Sequence, residues 1–244
     1  ALARQIPSNS PSTANAIYHQ LQGLNPDGTR NEDLPVYLDM DNLIDYLLLH
    51  YYAGAQEWLG NAVAARNRVD PGSGFRFYVW DQDVTLNWNI GFGGRIGTSA
   101  GGTSTAQELK ARLQRSPEFR LRFADRAQMH LFNGGALSLE QSLERWHGLA
   151  DHIAPAMVGD SARWGSYQAG KTGRLKSGQP TVMLPTITID HWRDSVYGVH
   201  TYIVESYSRI VNTLINNGGL FTPLRPPILN QFGGTVLSGF ALEL

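Results

Sequence analysis

Two short stretches of the sequence carry side chains suited to binding a divalent cation. The first, FRFYVWDQDVTL, runs from Phe75 to Leu86 and reads as a strand of alternating large side chains that ends in Asp81 and Asp83. Carboxylates in such a half-buried place need hydrogen bonds, cations or water around them. Oxygen ligands of this kind are the ones that Mg²⁺ and Mn²⁺ prefer, often shared with substrate phosphates. A metal and phosphate site is therefore one interpretation, and a turn cap beside a solvated carboxylate is the other.

The second stretch is GAQEWLGN, Gly54 to Asn61, a polar loop that follows a buried helix. Its Glu57 and Asn61 lie four residues apart and could serve as a base and an amide ligand. Together the two stretches give the order helix, loop with an acid and an Asn, glycine turn, strand and aspartate. Protein kinases have this order, with a loop acid that orients the nucleophile and an Asn and a strand-end Asp that hold metal. The spacing makes such a site possible without requiring it.

The elements around these residues are predicted to be mostly helices, with a small β element that carries Asp81. DMDNLIDYLLLHYYAGAQEW has the i, i+3, i+4 apolar spacing of a buried helix, with Asp39 or Asp41 as its N-cap. Capping residues, a first-turn proline and terminal glycines mark four further helices downstream. Their sequences are STAQELKARLQRS, PEFRLRFADRAQMHLFNGG, SLEQSLERWHGLADHIAPAM and TIDHWRDSVYGVHTYIVESYSRIVNTLINNGG. The predicted fold class is mainly α with a small β element (α+β).

The chain is long enough for one large domain, since 42% of its 244 residues are hydrophobic. Residues 1–38 are predicted to be a poorly structured lead-in or the remnant of a first lobe, lightly packed, with a short helix around Ala14 to Leu21. Residues 39–220 are predicted to form the helical domain. Residues 221–244, rich in proline turns and short strand-like runs, are predicted to be a linker and the start of a following β-rich module.

Composition excludes several classes of function. The formal net charge is -1, so no overall attraction to nucleic acid or anionic membrane is expected. The chain has no cysteine, which excludes disulfides, thiol catalysis and thiolate metal sites. No apolar run approaches the roughly 20 residues needed to span a bilayer. The opening ALARQIPSNS lacks a signal-peptide pattern, and we interpret the chain as a processed product or an excised piece.

The seven histidines show no metal-binding spacing along the sequence. His147 and His152 are five residues apart, and His191 and His200 are nine apart. His50 lies on the buried helix, where we interpret it as a hydrogen-bonded core residue. Histidine ligation is therefore not predicted.

Several motifs together resemble the CotH kinase family, the spore-coat-protein-H-like atypical protein kinases of bacteria, and especially their large surface or secreted members. They are YLDMDNLIDYLLLHYYAGAQEWLGNAVAARNR, FRFYVWDQDVTL, SPEFRLRFADRAQMHLFNGGALS, SARWG and GLFTPLRPPILNQFGGTVLSGFAL. They occur in the family's order from about Asp39 to the C-terminus. The resemblance implies a protein-kinase-like C-terminal lobe without its N-terminal lobe. It also implies ATP and Mg²⁺ or Mn²⁺ as cofactors and phosphoryl transfer to protein Ser or Thr.

Carried over residue by residue, the resemblance puts Glu57 at the catalytic acid position and Asn61 and Asp81 at metal-ligand positions, with Asp83 as a neighbouring ligand. It also implies an extracellular or cell-surface location, and a protein substrate or neighbouring domains of a larger chain as partners. Neither nucleic acid nor a membrane span is expected.

Two departures from the family pattern support a different class of function. The usual loop aspartate is Glu57 here, and Ala62 stands where a second asparagine is usual. No lysine precedes Lys110 to bind phosphate, although Arg4, Arg30 or Arg66 could supply charge. The alternative is a non-catalytic structural module of a large exported protein. A hydrolase that uses Asp81 and Asp83 is a poorer interpretation, because residues two apart on one strand cannot flank a bond.

Overall fold

A computed structural model describes residues 10–55, 58, 60–69, 71–82, 85–86, 105–173, 180–216, 220–221, 230–231 and 235–243 of the chain. These residues contain six helices, a short 3-10 turn (Pro71–Ser73) and two antiparallel two-stranded sheets. The helices are α1 (Pro11–Leu21), α2 (Met40–Ala53), α3 (Thr105–Leu113), α4 (Pro117–Leu131), α5 (Leu139–Trp164) and α6 (Ile189–Asn216). The strands are β1 (Val63–Ala65), β2 (Arg76–Tyr78), β3 (Thr172–Gly173) and β4 (Val182–Met183). The prediction of a mainly α fold with a small β element is confirmed.

Helix α2 lies at the centre of the core and packs against α3, α4, α6 and β2. It starts where predicted, because an Asp39 carboxylate oxygen accepts a 3.0 Å hydrogen bond from the backbone N–H of Asn42. Its apolar stripe is completely buried, including Leu43, Ile44 and Leu47. It ends at Gly54, which has the left-handed conformation (φ 59°) that favours glycine.

Helix α1 belongs to the same core. Its apolar residues Ala14, Ile17, Tyr18 and Leu21 are buried and have the i, i+3, i+4, i+7 spacing of an amphipathic helix. The ring of Tyr18 meets that of Phe119 on α4 edge to face, with centroids 6.3 Å apart. The prediction that residues up to 38 are poorly structured and lightly packed is therefore wrong for residues 10–38. The short helix expected within them is present.

Helix α4 is joined to α2 by a ladder of charged side chains. Its N-cap Ser116 accepts a hydrogen bond from the backbone N–H of Phe119. Arg122 and Arg126 then reach across to Asp41 and Asp45 of α2. The apolar side of α4, which includes Phe119, is fully buried. The α2–α4 pair is thus held by an apolar face and a polar edge.

Helices α5 and α6 pack against each other as a long pair. Half of the predicted capping box at Ser138 is present, since its hydroxyl accepts from the backbone N–H of Gln141. The reciprocal bond is not formed, because the backbone N–H of Ser138 donates to the Gly135 carbonyl and the Gln141 side chain donates to Glu144. One cross-helix bond fixes the register: the indole N–H of Trp146 donates to the carbonyl of Val196 at 3.0 Å. None of the described helices combines the length and the hydropathy that a bilayer span requires. The β-rich module expected beyond residue 221 stays a prediction, because much of that stretch lies outside the described residues.

Candidate functional site

The β1–β2 hairpin brings the two polar stretches of the sequence together. Its strands pair antiparallel, with Val63 opposite Tyr78 and Ala65 opposite Arg76. In an antiparallel pair the residues that precede one strand lie beside those that follow the other. Asn61 precedes β1 and Asp81 follows β2, so the fold places them at the same end of the hairpin.

Asn61 and Asp81 are in direct contact. The side-chain N–H of Asn61 (Nδ2) donates a 3.0 Å hydrogen bond to Oδ2 of Asp81. Asp81 is exposed and Asn61 is half-buried. No ion pair to Asp81 is found among the described residues, so its carboxylate is not neutralised by a described cation. This hydrogen bond leaves Oδ1 of Asn61 and Oδ1 of Asp81 available as oxygen ligands for a hard divalent ion.

The backbone at Asp81 has an unusual conformation. Its φ is +54°, in the left-handed region, which disfavours side chains by about 1–2 kcal/mol. Aspartate and asparagine tolerate this region better than other non-glycine residues. Such strain recurs at ligand-binding positions in proteins. Here the left-handed residue lies three positions beyond the end of β2, where its carboxylate meets Asn61.

The segment that follows Asp81 is tied back to the helical core. The Gln82 side chain donates to the Trp80 carbonyl at 2.7 Å, and the Thr85 hydroxyl donates to the Gln82 carbonyl at 2.8 Å. The backbone N–H of Leu86 then donates to the carbonyl of Ala53, at the end of α2, at 2.8 Å. These bonds hold the turn at Asp81 close to the C-terminal end of α2.

Asn42 docks the hairpin on α2, a role that sequence reasoning missed. Its side chain accepts from the backbone N–H of Phe77 at 2.6 Å and donates to the Phe77 carbonyl at 3.1 Å, as a neighbouring strand would. Asp39 adds an ion pair to Arg76 with a closest N–O distance of 3.2 Å. Of the two residues predicted as N-cap, Asp39 and Asp41, Asp39 takes that role. The available signal was a polar Asn within the first turn of a buried helix.

An aromatic cluster anchors the loop that carries Asn61. Trp58 is 1% exposed and its ring lies 4.9 Å from that of His50, 6.0 Å from that of Tyr46 and 6.1 Å from that of Tyr51, between centroids. His50 makes a 2.8 Å hydrogen bond to the Tyr46 carbonyl through Nδ1. A carbonyl only accepts, so Nδ1 carries the proton. The interpretation of His50 as a hydrogen-bonded core residue is confirmed.

Burial lowers the pKa of His50 to about 4, because the charged ring would be desolvated. The ring is therefore neutral at neutral pH and serves as an aromatic support for the loop. Its Nε2 atom, like the indole Nε1 of Trp58, has no hydrogen-bond partner in the described part of the chain.

The other candidate residues do not all reach the site. Glu57 and Asp83, like Arg4, lie outside the described residues, so their predicted roles stay predictions. Arg30 is held by Glu32 and by the carbonyl of Gly23, and Arg66 follows β1 at the opposite end of the hairpin from Asp81. Across the described ranges, no group of three or more His, Cys, Asp or Glu side chains is placed to hold a metal ion.

The comparisons with known proteins bear on the same segment. A family model described as CotH kinase protein matches residues 9–209, most of the chain. No curated protein and no solved structure matches the chain. The matched range includes Asn61 and Asp81, and it begins upstream of Asp39, where the resemblance was expected to start. That earlier start agrees with the packing of α1 in the common core.

Proposed function

The chain belongs to the CotH kinase family, and on this premise we propose that it is an ATP- and metal-dependent protein kinase domain whose metal site is built on Asn61 and Asp81. The observation that carries the proposal is the 3.0 Å contact between these two side chains, which lie 20 residues apart in sequence. The reaction would be transfer of the γ-phosphoryl group of ATP to a protein Ser or Thr.

The donor set fits Mg²⁺ or Mn²⁺. Both ions take oxygen ligands and commonly bind through one or two carboxylates together with substrate phosphates. Asp81 would supply a carboxylate oxygen and Asn61 an amide oxygen, and the exposure of Asp81 leaves room for phosphate. When bound, the ion would neutralise charge on the phosphates. Asp83 is proposed as a neighbouring ligand.

Glu57 is proposed to orient the acceptor hydroxyl. It lies between Gly54 and Asn61, in the loop that the buried Trp58 anchors. In kinases an acid in the catalytic loop accepts the hydroxyl proton as the phosphoryl group transfers. A glutamate is one methylene longer than the usual aspartate, and a misplacement of about 1 Å can lower a rate by about 100-fold. We therefore expect a slow enzyme.

The test is a calorimetric titration with ATP and Mn²⁺, made on this chain and on a chain extended by its natural upstream sequence. Asp81→Asn keeps the shape and left-handed tolerance of the side chain but removes its charge, so Mn²⁺-dependent binding should decrease at least about tenfold, a loss seen even for outer partners of metal ligands. Asp125→Asn, on the exposed side of α4, removes the same charge elsewhere and should bind as the unchanged chain does. If the unchanged chain, Asp81→Asn and Asp125→Asn all bind ATP and Mn²⁺ equally, Asp81 is not a metal ligand.

A non-catalytic role for the same fold is the second candidate. The first lysine of the chain, Lys110, is 2% exposed on α3, and burial lowers its pKa. A phosphate-binding lysine needs an accessible ammonium, which this buried side chain does not present. Incubation of the extended chain with γ-labelled ATP and a Ser/Thr-rich protein separates the candidates. Label transfer that Asp81→Asn abolishes supports the kinase, and nucleotide binding without transfer supports the structural module.

We also propose an extracellular or cell-surface location, on the basis of family membership. Protease added to intact bacterial cells that express the natural full-length protein should cleave a surface-exposed domain. Protection until the cells are lysed would contradict this location.

A further inference from the structure

Two histidines from different helices face each other across the α5–α6 pair. His147 of α5 and His200 of α6 lie 53 residues apart in sequence, yet Nε2 of His147 is 2.9 Å from Nδ1 of His200. Their ring centroids are 5.1 Å apart and the ring planes are inclined by 49°. The pair is at the surface, far along the chain from Asn61 and Asp81. Neither its position nor its chemistry is used by the proposed kinase site.

Without an ion the two nitrogens share a hydrogen bond at 2.9 Å, and the same separation suits two ligands on one metal ion. Imidazole nitrogens bind Zn²⁺ at about 2.0–2.1 Å. Two such nitrogens are therefore about 2.9 Å apart at a right-angle coordination and about 3.4 Å apart at a tetrahedral one. The observed 2.9 Å matches the right-angle arrangement of tetragonal Cu²⁺ and Ni²⁺ sites. For a tetrahedral ion the two nitrogens would have to move apart by only a few tenths of an ångström.

The helix pair brings the backbones of the two histidines into register. One residue before His147, the Trp146 indole bonds to the Val196 carbonyl and sets the register of α5 on α6. The ring of Tyr197 lies parallel to that of His200, with a 6° interplanar angle and 6.0 Å between centroids. Ligands held by rigid neighbouring elements lose little freedom when an ion binds.

We propose that His147 and His200 form a binding site for a first-row transition metal ion, with Cu²⁺ bound most tightly. Neutral histidine can carry its proton on either ring nitrogen. In the bound form each ring would keep its proton on the nitrogen that faces away from the ion, so both facing nitrogens offer a lone pair. Water would complete the coordination. The ion would clamp α5 to α6, and imidazole ligands make the site selective against the Mg²⁺ and Mn²⁺ proposed for Asp81.

The test is a titration of the chain with Cu²⁺, followed by electron paramagnetic resonance and calorimetry. We expect calorimetry to give one Cu²⁺ ion per chain. We expect the resonance spectrum to show coupling of that ion to two imidazole nitrogens. His147→Gln and His200→Gln should each weaken binding by at least about tenfold, since loss of even an outer partner of a metal ligand weakens binding 10–100-fold. His152→Gln removes an exposed histidine of the same helix and should leave the affinity unchanged.

A second readout is thermal unfolding. Zn²⁺ should raise the midpoint of the unchanged chain and of Asp81→Asn but not that of His147→Gln, because only an ion that binds the folded pair stabilises it. In EDTA, which removes metal ions, the unfolding midpoints of the unchanged chain and of His147→Gln should agree, since His147 is exposed. The proposal is overturned if Cu²⁺ affinity is the same in both single variants as in the unchanged chain. A spectrum of the unchanged chain without two coupled nitrogens overturns it too, and that measurement does not depend on how any variant folds.

Discussion

Asn61 and Asp81 are joined by a 3.0 Å hydrogen bond between Nδ2 and Oδ2. This contact depends on a hairpin of two three-residue strands that is docked on helix α2. The register of β1 with β2 brings the two residues to one end of the hairpin. Asn42 holds β2 on α2, and Leu86 ties the following segment to Ala53.

Asn42 should control the position of the hairpin. Asn42→Ala removes two hydrogen bonds to the backbone of Phe77, and we expect a loss of about 2 kcal/mol in the free energy of unfolding, at about 1 kcal/mol each. Asn42→Asp keeps an acceptor for the Phe77 N–H and should lose less. Urea denaturation measures both, and equal stabilities of all three chains would contradict the docking role. Mn²⁺ affinity should decrease in the same order, because β2 leads directly to Asp81.

Gly54 should not tolerate a side chain. It has φ +59°, and a Cβ atom there would lie 2.0 Å from the hydroxyl oxygen of Tyr202. Gly134 has φ +74° with nothing within 4 Å of the same atom. Gly134→Ala should therefore cost only the left-handed penalty of about 1–2 kcal/mol, and Gly54→Ala should cost about 1–3 kcal/mol more through overpacking.

A double variant separates the two causes at Gly54. Tyr202→Phe removes the hydroxyl that the new Cβ would meet, so it should recover part of the stability lost in Gly54→Ala. The measurement is the free energy of unfolding of the two single variants and of the double variant. Strict additivity of the two changes would show that Tyr202 is not the obstacle.

His50 should make the chain less stable as the pH falls from 6.5 toward 4. Burial lowers the pKa of His50 from 6.5 to about 4, so the unfolded chain takes up a proton first. The contribution of neutral His50 to the free energy of unfolding is complete above pH 6.5. It decreases below that pH, by about 3 kcal/mol between pH 6.5 and 4. His50→Phe keeps a ring beside Trp58 and should flatten the pH dependence in this window.

The measurement for His50 is urea denaturation at several pH values between 7 and 4. His152→Gln removes an exposed histidine and should retain the steep dependence of the unchanged chain. A flat profile in the unchanged chain would contradict a neutral, buried His50.

Asp45 should act at lower pH than His50. Side-chain hydrogen bonds from His130 and Arg126, with their charges, lower the pKa of Asp45 below 3.8 despite a desolvation effect in the opposite direction. Its stabilising contribution is present above pH 3.8 and is lost as the pH falls through the folded pKa. Asp45→Asn should reduce the acid sensitivity below about pH 4, and Asp125→Asn should not. Acid titration of unfolding, followed by circular dichroism, compares the two variants.

Much of the fold was predictable because its signals are local. The N-caps at Asp39 and Ser138 and the proline start of α4 all act within one turn of helix, so neighbouring residues in the sequence contain the whole signal. The amphipathic stripe of α1 was equally readable, but the polar residues around it led to the wrong expectation of light packing.

The contacts that connect distant segments were not predictable in the same way. Asn42 bonds to Phe77, 35 residues away, and Gly54 faces Tyr202 on α6. His147 and His200 show no metal spacing along the chain, yet their nitrogens are 2.9 Å apart. Such pairs depend on the packing angle and register of whole elements, which no short stretch of sequence encodes.

The sequence alone therefore determined which helices form, where they begin and which residue types were available for metal and phosphate chemistry, because periodicity and capping are properties of neighbouring residues. Only the tertiary structure decided that Asn61 meets Asp81 and that α1 lies in the core. It also decided that two surface histidines converge. Each of these depends on burying apolar faces against each other, and that requirement fixes the distances between side chains from remote parts of the chain.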